Sequence, residues 1–103
     1  MSDYVAYWFR KTHDLLPDGG RAGLVGTNTI REVDTRKVSL DYIVDNGGTI
    51  TDAWSSLPWS GDAVVHVSLV NWEKGPSDQP RTLWLDEGER KVVLPEITGS
   101  LSE

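Results

Sequence analysis

The stretch GRAGLVGTNTI, residues 20–30, holds a short apolar core between glycines and runs into Gly26-Thr27-Asn28, the pattern of a buried strand entering a loop. Ahead of it, YVAYWFRKTHDLL (residues 4–16) spaces Tyr4, Val5, Trp8, Phe9, Leu15 and Leu16 as one aromatic-rich helical face. Asp3 stands where it can cap that helix, and Pro17-Asp18-Gly19-Gly20 ends it. A helix, a glycine-rich turn and a buried strand form the half-unit of an α/β sheet.

Downstream, DTRKVSLDYIVDN (residues 34–46) predicts a second helix, with Asp34 as cap and Asn46-Gly47-Gly48 as stop, although its Ile43–Val44 end reads equally as strand. GTITDAW then predicts a strand, and Val64 to Trp72 a stronger one rich in β-branched residues. The SSLPWSGD segment between them reads as a loop. After the polar turn EKGPSDQP, RTLWLDEGERKVVLPEI predicts a hairpin turning at Glu87-Gly88-Glu89. The order is helix, strand, helix, strand, strand, hairpin.

Composition narrows the function. The chain has 103 residues, 38% hydrophobic and 25% charged, as in an ordinary folded domain or a piece of one. It has no Cys, which excludes disulfides, Cys-ligated zinc, iron–sulfur clusters and a thiol nucleophile, and favours an intracellular, cytoplasmic setting. No apolar run is long enough for a membrane span, so no membrane partner is expected. A net charge of −6 repels a phosphate backbone, so any nucleic-acid contact has to be local or assisted by another segment.

The glycine segment satisfies neither GxxxxGK[ST] nor a helix-opening GxGxxG, so it carries no nucleotide-phosphate signal. His13 and His66 have no companion at zinc-ligand spacing, and no metal site is expected. Ser55, Ser56, Ser60 and Ser68 lack a GxSxG elbow, and the carboxylates are scattered over turns and helix ends. No residue of the chain stands out as catalytic.

The five tryptophans are unusual. Trp8, Trp72 and Trp84 have core explanations, and Trp54 could go either way. Trp59 follows Pro58 and precedes Ser60-Gly61, which together suggest a turn. A large ring there is either a lid folded onto the core edge, the commoner use, or a flat surface offered to a ligand such as a nucleobase.

The ordered set, YVAYWFRKTHDLLPDGGRAGLVGTNTIR followed by SLDYIVDNGGTITDAWSSLPWSGDAVVHVSLVNWEKG, resembles the back half of the methyltransferase domain of adenine-specific (N6) DNA methyltransferases. Within them it resembles most the type IIG restriction-modification enzymes of the MmeI-like group, over roughly residues 3–75. The resemblance implies an α/β fold, a partial class I S-adenosylmethionine-dependent (Rossmann-like) sheet, with AGLVG as fifth strand and TITDAW and VVHVSLVNW as sixth and seventh, the last antiparallel. It implies a division at residues 1–75 and 76–103, the second part a hairpin and linker toward a recognition domain. Trp59, with Ser60 and Gly61, falls where the family presents an aromatic ring, usually Phe or Tyr, to a flipped adenine; such stacking is worth about 1–3 kcal/mol per base. Thr27, Asn28 and Thr29 fall where the family lines the pocket near its catalytic loop.

The chain contains no Asn-Pro-Pro-aromatic motif and no cofactor loop. The resemblance therefore implies S-adenosylmethionine and DNA as cofactor and partner of the longer enzyme, with the chain alone inactive and binding no cofactor. The alternative is a small α/β protein-interaction module, or a remnant that forms a homodimer through an exposed sheet edge.

Overall fold

The structure, a computed structural model, describes residues 4–59 and 65–103, except the side chains of Tyr4 and Trp59. Helix α1 spans Tyr4–Leu15 and buries Ala6, Phe9 and His13 along one stripe. Trp8, expected in the core, is 55% exposed beside Tyr7, because Phe9 occupies the inward position and the neighbouring residue is turned about 100° away. The Lys74 ammonium donates to the His13 carbonyl (3.0 Å), tying off the last turn before Pro17. The proposed cap Asp3 lies outside the described residues.

Strand β1 (Arg21–Thr27) follows, then a 3-10 turn at Asn28–Arg31. The helix expected over residues 34–46 is two short helices, α2 (Val33–Lys37) and α3 (Leu40–Asp45). The break falls at buried Ser39, whose hydroxyl lies 2.9 Å from the Thr35 carbonyl and 3.3 Å from that of Ile30, so the side chain competes with the helical ladder. Glu32, not Asp34, is the cap position of α2; Asp34 lies in its first turn. Separating the helices lets Leu40 and Ile43 both reach the core.

Strands β2 (Gly48–Trp59), β3 (Val65–Lys74), β4 (Arg81–Leu85) and β5 (Arg90–Leu94) complete a five-stranded sheet in the order β1-β3-β2-β4-β5. β3 is antiparallel to both β1 and β2, and β4 is parallel to β2. Ile50, Ala53, Val70, Trp72 and Leu83 alternate onto one face and form a single core with Phe9, Ile30, Leu40 and Ile43 from the helical layer. Ile97 and Leu101 of the C-terminal segment enter the same core, so the hairpin and tail share it with the α/β part. On the opposite face Trp54 and Trp84, paired across β2 and β4, stack with centroids 5.6 Å apart and planes within 4°.

The segment read as the loop SSLPWSGD is strand as far as Trp59. Ladder pairing with β3 continues through Leu57↔Val67, Pro58↔His66 and Trp59↔Val65, past register shifts between Ile50 and Asp52 and between Trp54 and Leu57. Pro58 is tolerated because β4 pairs only with Asp52–Trp54, so that stretch of β2 serves no second ladder.

Candidate functional site

β1, β2 and β4 all run the same way, so their carboxyl ends, with the start of β3, meet at one edge of the sheet. Open α/β sheets bind ligands at that edge.

Asn28 is the first residue beyond β1. Its Nδ2 donates to Ser56 Oγ at 2.9 Å, and its Oδ1 lies 3.0 Å from Ser68 Oγ. The Ser68 hydroxyl proton is shared with the Ser55 carbonyl at 2.8 Å, in a fully buried position. The bulge between Trp54 and Leu57 makes this possible: the unpaired Ser55 and Ser56 bring one carbonyl to Ser68 and one hydroxyl to Asn28. Asn28 thereby fixes the ends of three strands to one another. Thr27 and Thr29 flank it as exposed residues, their hydroxyls 2.7 Å apart.

Of the residues singled out in the sequence, Thr27, Asn28 and Thr29 therefore gather at the edge where β2 ends. The backbone of Trp59 closes β2 opposite Val65, as extended strand and not as the turn expected from Pro58. The Trp59 side chain, Ser60 and Gly61 lie outside the described residues.

Sequence reasoning missed a neighbouring feature. In the 3-10 turn Asp86–Gly88, Asp86 and Glu87 both take left-handed backbone (φ 52° and 58°), an unfavourable conformation for these side chains. The turn holds Glu87 Oε1 3.3 Å from His66 Nε2, linking the β4–β5 connection to the first residues of β3. The hint in the sequence was only Asp86-Glu87-Gly88, ordinary turn chemistry.

Gly23 and Gly26, the glycines on β1, are packed by the chain itself. A Cβ on Gly23 would clash with Asn71 Oδ1, and one on Gly26 would lie 2.7 Å from Val5 Cγ1 and 3.0 Å from Ile30 Cγ2. These two glycines make room for the chain's own side chains. Among the described residues no three His, Asp or Glu side chains gather as a metal site. Nor is any described helix long and apolar enough to cross a membrane.

The mixed sheet, helix-covered on one face with a site edge at its carboxyl ends, defines a Rossmann-like α/β domain. One solved structure with this fold is the type IIL restriction-modification enzyme MmeI in complex with DNA. It superposes over 97% of this chain with a TM-score of 0.79 and 20% sequence identity. The chain spans 15% of the length of that MmeI chain. No protein-family model matches the sequence, and no curated protein matches it.

Proposed function

We propose that this chain is the target-base half of the methyltransferase domain of an adenine-specific (N6) DNA methyltransferase, within a cytoplasmic restriction-modification enzyme of the type IIG, MmeI-like kind. The observation that carries the reading is topological. β3 is inserted antiparallel between β1 and β2, and the strand ends so gathered bring Asn28 to the edge where β2 terminates at Trp59. The DNA-bound, restriction-modification character of the MmeI structure supports the same reading.

In this account Trp59, with Ser60 and Gly61 after it, stacks on an adenine turned out of the duplex, a base that has lost its own stacking partners. Thr27 and Thr29 line the rim of the pocket, and Asn28 is a positioning residue that holds the β1 and β2 ends at fixed spacing. The reacting groups come from elsewhere: a preceding segment of the longer protein supplies the S-adenosylmethionine loop and an Asn-Pro-Pro-aromatic motif. Residues 76–103 complete the same sheet and core as residues 1–75 and connect this domain to the DNA-recognition domain of the longer enzyme.

Calorimetry of the 103-residue chain with S-adenosylmethionine tests this division of labour. The expected result is no saturable binding. Saturable binding by this chain refutes the half-domain reading, as does coding DNA upstream of Met1 that carries no in-frame Asn-Pro-Pro-aromatic motif.

A further inference from the structure

The chain carries ten Lys and Arg residues against sixteen Asp and Glu, and most of the cations are engaged internally. Arg10 lies over the Tyr42 ring, Arg36 pairs with Asp41, and Lys74 caps α1. Among the described Lys and Arg residues, the side chains of Arg31 and Lys37 alone have neither hydrogen bond, ion pair nor aromatic partner. Both lie in the segment that follows β1. Arg31 ends the 3-10 turn that Asn28 begins, and Lys37 ends α2.

Arg31 has a further peculiarity: its Nε is buried with no acceptor. A guanidinium stays charged, so the orphan donor cannot be relieved by losing its proton, and such groups call for a partner. A ligand from outside does not reach that buried atom, but the terminal nitrogens of the same guanidinium have no partner either, and a phosphodiester oxygen pair matches their fork geometry.

We infer that Arg31, with Lys37 at the end of the helix that follows it, binds a DNA backbone phosphate next to the adenine pocket. The inference rests on the functional reading above and adds the residues that hold the strand. In a chain of net charge −6 such contact has to be local, and these two residues supply the cations not committed elsewhere among the described residues.

The test is fluorescence anisotropy of the 103-residue chain with a fluorescein-labelled duplex of about 20 base pairs, from roughly 20 to 150 mM NaCl. Arg31→Gln is expected to weaken binding several-fold and lower the slope of log K against log salt by about 0.9. Lys11→Gln, which removes the same charge beside Tyr7, is expected to leave that slope unchanged. Arg31→Lys keeps the slope and loses affinity, because a point charge replaces the fork. If circular dichroism shows Arg31→Gln unfolded, Lys37→Gln and Arg31→Lys carry the same comparison. An unchanged slope in Arg31→Gln, or an equal loss in Lys11→Gln, overturns the inference while leaving the functional reading intact. Absence of salt-dependent DNA binding by the unaltered chain overturns the inference as well, and the functional reading then rests on the calorimetric test above.

Discussion

His13→Leu should destabilise the domain by about 2 kcal/mol, and the structure says why. His13 is 1% exposed, and its ring is used on both sides. Trp72 Nε1 donates to Nδ1 at 3.2 Å, so Nδ1 is the unprotonated nitrogen; Nε2 then carries the hydrogen, donated to the Asn46 carbonyl at 2.9 Å. The imidazole thus joins α1, the end of α3 and β3 at one point. Leucine has nearly the same volume, so the cavity contribution is small. The dominant loss is at Trp72, which is 1% exposed and keeps an indole N–H without an acceptor. An orphaned buried donor costs about 1–3 kcal/mol. Asn46 is exposed, and its carbonyl turns to water. For a domain of this size about 2 kcal/mol lowers Tm by roughly 8–16 °C. Urea denaturation followed by circular dichroism measures it, on His13→Leu, Trp72→Phe and the double variant. The double variant should be less destabilised than the two single effects added, by at least about 0.5 kcal/mol, because it removes donor and acceptor together. Strict additivity, or a loss below about 0.5 kcal/mol for His13→Leu, refutes the reasoning.

Three other perturbations follow from the same geometry. Asn28→Ala should cost about 1–3 kcal/mol in urea denaturation, because the buried Ser68 hydroxyl and Ser56 lose their partner; Asn28→Asp, which keeps one acceptor, should cost less. Gly26→Ala should cost about 1–3 kcal/mol, since the new methyl meets Val5, Ile30 and Phe9, and Val5→Ala in the same chain should recover part of it. The hydrogen bond from Tyr42 to the Asp14 carboxylate, 2.6 Å, holds the phenol protonated and raises its pKa above the ordinary tyrosine value, with burial adding to the effect. A raised folded-state pKa means stability that is present below the unfolded tyrosine pKa and lost as pH climbs through the folded one. Tyr42→Phe should therefore flatten the alkaline limb of the stability–pH curve, and an unchanged limb contradicts the assignment.

The α/β order was legible because β1 and β3 carry dense apolar or β-branched runs, and because Pro17 and the Gly47-Gly48 pair punctuate the chain. β2 was read too short. Ser, Pro and Trp at residues 55–59 have turn chemistry locally, yet β3 offers a ten-residue ladder and two register shifts absorb the mismatch, so pairing overrides local preference. His13 looked like part of a polar helix surface; its burial depends on Trp72, 59 residues away, a relation invisible to any local window. Trp8 failed in the opposite sense: it is apolar, but one position off the inward stripe set by Phe9 and His13.

At the candidate site, Thr27, Asn28 and Thr29 were singled out through the family resemblance. Their partners Ser55, Ser56 and Ser68 were dismissed as ordinary serines, because a bulge brings them together and bulges leave little mark on composition. The left-handed pair Asp86 and Glu87 was equally hidden.

The most direct test of the central claim is nucleoside mass spectrometry of DNA from cells expressing this chain joined to its upstream coding sequence. The account predicts N6-methyladenine, reduced roughly 5- to 150-fold by Trp59→Ala, as expected from losing about 1–3 kcal/mol of stacking. It predicts none from the 103-residue chain alone. N6-methyladenine made by the chain alone, or DNA from the joined protein without it, contradicts the account.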